Sequence, residues 1–106
     1  MLHDTRHDLS QDSQDLLNAA DYIDQHGWCQ DRKNSPSGEV CLWGSILAVT
    51  DGLQETYFTS KRAAKLYETV KVHLLGVKPD HWNDVRSRTK AEVTALLREV
   101  ALKSKE

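Results

Sequence analysis

Four runs of apolar residues spaced three and four positions apart commit this 106-residue chain to helices that share one core. The first run is Leu16, Ala19, Ala20 and Ile23, the third Ala63, Leu66, Tyr67, Val70 and Leu74, and the last Val93, Leu96, Leu97 and Val100. Each puts its apolar side chains on one helical face, the pattern of a helix packed on one side. The second run differs, because Leu42, Trp43, Ile46, Leu47 and Val49 point in nearly every direction around a helix. A short helix of that kind is a central one, covered by its neighbours. Punctuation agrees with these spans. Ser10 or Ser13 caps the first helix and Thr59 or Ser60 the third, while Thr89-Lys90-Ala91-Glu92 reads as a capping box. Gly27, Asp51-Gly52 and Gly76 stop the first three, and Pro79 bars continuation of the third. Residues 80–88, with the run His81-Trp82-Asn83-Asp84, read as one further helical turn with Trp82 pointing inward.

Between the first two helices the pattern shortens to WCQD, a polar RKNSPSG and EVCL, which reads as a β-hairpin. Pairing residues 28–31 antiparallel with residues 39–42 places Cys29 opposite Cys41. The expected fold class is therefore mainly α, a compact bundle of about four helices with a short β-hairpin between helices 1 and 2. Residues 1–9 are expected as a flexible N-terminal tail and residues 10–106 as a single helical domain. Trp28, Trp43 and Trp82, with the largest apolar surfaces, are the candidates for the centre of the core.

Composition narrows the class. Hydrophobic residues make up 39% of the chain and charged ones 28%, and the mean hydropathy is -0.62, as in a globular protein. No apolar run nears the roughly 18 residues of a spanning helix, and the first residues lack the apolar stretch of a secretory signal. A cytoplasmic protein with no membrane contact is expected, and in that compartment Cys29 and Cys41 are expected as free thiols. The formal charge of -2 conceals two halves of opposite sign. Residues 1–55 carry ten acids against three basic residues, and residues 56–106 carry eleven basic residues against six acids. Opposed charges of this kind either solvate outer helix faces or steer partners, a head-to-tail homodimer among them.

The ordered elements His26-Gly27-Trp28-Cys29-Gln30, Cys41 with Gly44, Trp82-Asn83-Asp84, Arg88-Thr89, Glu92-Val93 and Leu96-Leu97-Arg98 make a pattern. It resembles a family of small uncharacterised helical proteins encoded by bacteria and bacteriophages. The resemblance runs from about Leu16 to Val100 and implies a compact intracellular protein with no established activity. A phage-encoded member of such a family is expected to act on a host component by binding. Residues 52–78 depart from the pattern, which marks that stretch as specialised.

Four kinds of site are in play. His26, Cys29 and Cys41 offer nitrogen and sulfur ligands, with His81 or His73 as a fourth, the set that zinc prefers. Only one paired-ligand unit is present, so no metal is expected; two buried thiols or a cross-hairpin disulfide are the other readings. A thiol with His26 or His81 and Asp84 supplies the residue types of a nucleophilic triad. Without a phosphate loop, a nucleophile elbow or an HExxH pair, no enzyme and no cofactor are expected. Lys61, Arg62, Lys65 and Lys71, with Arg86, Arg88 and Lys90, form a basic half for a nucleic-acid-binding regulatory protein, the alternative reading. The leading expectation is a non-enzymatic module that binds another protein stoichiometrically, as a modulator or inhibitor. Tyr57 and Phe58 would be its apolar anchors, and Lys61, Arg62 and Lys65 its steering charges.

Overall fold

A computed structural model describes residues 8–52 and 59–104. Five helices follow one another there: α1 Gln11–His26, α2 Leu42–Thr50, α3 Lys61–His73, α4 Pro79–Asn83 and α5 Lys90–Lys103. The caps are those that the sequence signals. Ser10 accepts from the Ser13 N–H and Ser60 from the Ala63 N–H, and Thr89 with Glu92 closes a reciprocal capping box. Residues 1–7 of the expected tail lie outside the described residues, and Leu9 already lends its carbonyl to the Gln14 side chain at 2.9 Å.

The frame is the antiparallel pair α1 and α5. At one end Ser13 donates its hydroxyl to the Ala101 carbonyl at 2.7 Å, a buried bond that the small serine permits. At the other end Asp24 meets Arg98 and Lys90. Between these ends Leu16, Ala19, Ala20 and Ile23 face Val93, Leu96, Leu97, Val100 and Ala101 in one apolar cluster. Helix α2 packs on α1 and touches α3 and α4, so its Leu42 and Ile46 are wholly buried. Each such Leu or Ile contributes about 1.5–3 kcal/mol by leaving water. The three tryptophans are not the centre: Trp28, Trp43 and Trp82 are partly buried and pack against the cluster from outside. Aliphatic residues interdigitate better between closely spaced helices, while an indole needs an edge where its N–H finds a partner.

The expected β-hairpin is not confirmed. Trp28 bridges Val40 in the parallel sense and Asn34 bridges Val40 in the antiparallel sense, and among the described residues these are isolated bridges without a sheet. Asp31 takes a left-handed conformation (φ 66°), which turns the chain and ends the extended run after Trp28. Residues 27–29 therefore lie along one side of Val40 and residues 33–35 along the other. The Cys29 N–H donates to Val40 O, the Val40 N–H to Gly27 O and the Cys41 N–H to Lys33 O, at 3.0, 3.1 and 3.0 Å. The wholly buried Val40 thus replaces a cross-strand pair as the centre of the loop.

The two charge halves meet inside the chain. Asp12 pairs with Lys65, Asp15 with Arg62, and Asp21 and Asp24 with Arg98, so the acidic α1 lies between basic faces of α3 and α5. The Asp15 carboxylate is 1% exposed and holds the Arg62 guanidinium through both Nε and Nη2, with the Gln11 amide at 2.9 Å as a further donor. The other three acids sit at the surface, where such pairs contribute about 0–1 kcal/mol each. Asp15 is different, because its uncompensated charge would stay buried. Arg62→Gln is expected to cost about 2–3 kcal/mol at pH 7, more than the about 1–2 kcal/mol of Asp15→Asn, which removes the charge itself. Urea unfolding of the two variants measures the order; an equal or smaller loss for Arg62→Gln would refute the account.

Candidate functional site

The elements of the sequence pattern converge on one buried amide. Asn83, the last residue of α4, is wholly buried, and its Oδ1 accepts from the Trp28 indole N–H at 2.6 Å and from the Leu42 N–H at 3.0 Å. Its Nδ2 donates to the Cys29 carbonyl at 3.2 Å and to Asp84 Oδ1 at 2.9 Å. An amide offers two donor hydrogens and two acceptor lone pairs, and all four are used. Around it Gln30 donates to the carbonyls of Asn83 and Val85, and Asp84 accepts from the Asp31 N–H. Arg88 lies 3.7 Å over the centre of the Trp82 ring, donates Nε–H to the Trp82 carbonyl and reaches Glu92. Gly44 belongs to the same assembly, since a Cβ there would stand 1.9 Å from the Lys33 carbonyl oxygen. These residues clamp the loop between α1 and α2 onto α4.

The thiols are held in the same loop. Cys41 caps α2, its Sγ accepting from the Gly44 N–H at 3.3 Å, and Cys29 donates to the Arg32 and Glu39 carbonyls at 3.6 Å. Both are free thiols. Burial pushes Cys41 up to about 11, and burial followed by the Glu39 charge raises Cys29. A nucleophilic cysteine needs the opposite shift. Among the described residues no three of His, Cys, Asp and Glu come together as a metal-binding group. His26 stacks on Tyr22, His73 faces Glu99 at 3.4 Å, and His81 is exposed on α4. Asp84, the third triad residue type, is committed to Asp31 and Asn83.

Of the expected partner contacts, Tyr57 and Phe58 lie outside the described residues. Arg62 and Lys65 are engaged by α1 carboxylates, and Lys61 is exposed. Two further surface features stand out. One is a pocket of about 280 Å3 lined by Trp43, Thr59, Ala64, Tyr67, Glu68 and Asp80. The other is an apolar knuckle where α3 ends: Val72 is 72% exposed, Leu75 94% and Val77 48%. Leu75 is also left-handed (φ 56°), a conformation that costs a non-glycine residue about 1–2 kcal/mol. The sequence held a signal for the knuckle, because Val72 and Leu75 fall off the stripe of α3. It held none for the pocket, which joins three helices.

A family model described as a family of unknown function (DUF6197) matches residues 8–103. The chain belongs to that family. No curated protein and no solved structure matches it. The resemblance drawn from the sequence pattern to a family without established activity is thereby met, and the matched span takes in all five helices. Among the described residues no helix is long and apolar enough to cross a membrane.

Two outcomes test the clamp. Gly44→Ala is expected to destabilise by about 1–3 kcal/mol or more, because the Lys33 backbone has to move, and its thermal midpoint falls accordingly. Stability is also expected to decline in alkali. In the folded chain Cys41 keeps its proton up to about 11, whereas an unfolded thiol loses it near 9. The stabilisation is complete below pH 9 and is lost as pH rises towards 11. Urea midpoints from pH 8 to 11 should fall, and Cys41→Ser should flatten the fall.

Proposed function

We propose that this chain is a non-enzymatic binding protein that acts stoichiometrically on another protein, as a modulator or inhibitor. The knuckle at the end of α3 carries the reading. Leu75 is turned almost wholly to water beside the exposed Val72 and half-exposed Val77, and its left-handed backbone adds strain. Lys71 and Lys78 bracket the knuckle in the chain, so the partner surface that fits it is an apolar depression rimmed by carboxylates. Two observations lend further support. Among the described residues every buried polar side-chain atom is hydrogen-bonded, and both thiols are shifted away from reactivity. The nucleic-acid alternative draws less support, since Arg62, Lys65, Lys90 and Arg98 each face an α1 carboxylate. The same pairs use the charges on which a head-to-tail dimer would draw.

The test compares the parent chain with Leu75→Gly, which removes the anchor and relieves the left-handed strain. The variant is expected to melt at the same temperature or a few degrees higher. Immobilised at moderate salt in nuclease-treated bacterial lysate, the parent should retain one protein in stoichiometric amount and Leu75→Gly should lose it. Undiminished retention by Leu75→Gly removes the knuckle from the reading. Retention only of nucleic acid, seen when nuclease is omitted, favours the alternative.

A further inference from the structure

The pocket beside α3 has a chemistry of its own. Trp43 of α2 and Tyr67 of α3 meet edge to face, with ring centres 4.9 Å apart and planes at 69°, so the two rings form an aromatic corner. Tyr67 donates its hydroxyl to Asp80 Oδ1 at 2.8 Å, which fixes the ring and leaves the second carboxylate oxygen of Asp80 outside that bond. Glu68, the next residue on α3, is exposed and lines the same pocket. Among the described residues no lysine or arginine lines it. Aromatic ring faces carry partial negative charge, and two carboxylates beside them add full charges, so every electrostatic feature of the lining favours a cation. The volume, about 280 Å3, falls just below the range of drug-sized ligand sites, roughly 300–1,000 Å3, and suits one short chain with a charged head.

We infer that the pocket formed by Trp43, Tyr67, Glu68 and Asp80 binds an organic cation, an ammonium or guanidinium head on a short aliphatic stem. The stem lies along Ala64 and the Trp43 ring, and the head faces the carboxylates. A basic side chain presented by a protein and a free amine share this chemistry. The site is separate from the knuckle, so it stands or falls independently of the partner reading.

The test is a nuclear magnetic resonance titration of the full chain, with the Trp43 indole signal assigned from Trp43→Phe. The probes are N-acetyl-arginine methylamide, N-acetyl-lysine methylamide and agmatine, with N-acetyl-citrulline methylamide as the neutral isostere of the first. The cations should shift the Trp43 indole signal saturably at about millimolar concentration, and citrulline should not. Glu68→Gln should weaken binding about threefold to fivefold, the usual effect of one exposed carboxylate, and Asp24→Asn, on α1 facing Arg98, should leave it unchanged. Capped arginine or lysine binding more tightly than agmatine assigns the cation to a protein side chain, and the reverse assigns it to a small amine. Equal shifts from citrulline, an unaltered affinity in folded Glu68→Gln, or no saturable shift overturns the inference.

Discussion

The side-chain amide of Asn83 joins three segments that share no periodicity: the start of α2, the loop after α1, and α4. Each of its four hydrogen bonds replaces a contact with water for a group that is now buried. A buried amide is costly when half satisfied and orienting when fully satisfied, because only one arrangement of its neighbours meets all four demands. The loop could otherwise lie on α4 in several ways, since residues 27–41 contain little regular pairing of their own. With Asn83 in place, Trp28 is held by its indole N–H, and α2 begins where its first free N–H finds an acceptor. The aliphatic core beneath supplies most of the driving force, but it does not choose among these arrangements.

The ionic arrangement plays a different part. Helix α1 carries a run of aspartates that would repel one another on an isolated helix, and their partners come from α3 and α5, far along the chain. The charge asymmetry between the two halves is therefore a folding complementarity. It sets the basic faces of α3 and α5 against the acidic α1. Surface pairs of this kind add little energy individually, so their role is selection. Only Asp15 lies deep enough for its partner to matter to stability.

The helices were legible because each has a stripe, a cap and a stop, all local signals. Ser10, Ser60 and Thr89 cap the helices that their positions announce, and α4 is the single turn expected around Trp82. The hairpin was misread because the alternation of WCQD and EVCL says nothing of Asp31, whose left-handed backbone redirects the chain. Local sequence likewise does not show that Trp28 reaches Asn83 over 55 positions, or that Arg62 reaches Asp15 over 47. Size alone points the tryptophans to the centre, although an indole N–H that needs a partner draws the ring to the edge of the core. Of the candidate surfaces, only the off-stripe apolar residues of α3 were written into the sequence.

A division of labour follows from where these features fall. The residues that carry the resemblance, Trp28, Cys29, Gln30, Cys41, Gly44, Trp82, Asn83, Asp84, Arg88 and Glu92, are consumed by the clamp and by helix capping. They specify a scaffold, and a pattern made of such residues identifies a fold without disclosing an activity. Thr59, Ala64, Tyr67 and Glu68 of the pocket and Val72, Leu75 and Val77 of the knuckle all lie within residues 52–78, which hold none of those clamp residues. Binding surfaces concentrate where side chains are free of structural duty, supported by elements that are not. Helix α3 meets that description: its inner face, Ala63, Leu66 and Val70, is locked into the core, while Val72 and the Leu75 beyond its end stand exposed. The Asp51 carboxylate, which accepts from the Ser60 N–H at 3.0 Å, fixes where that helix begins.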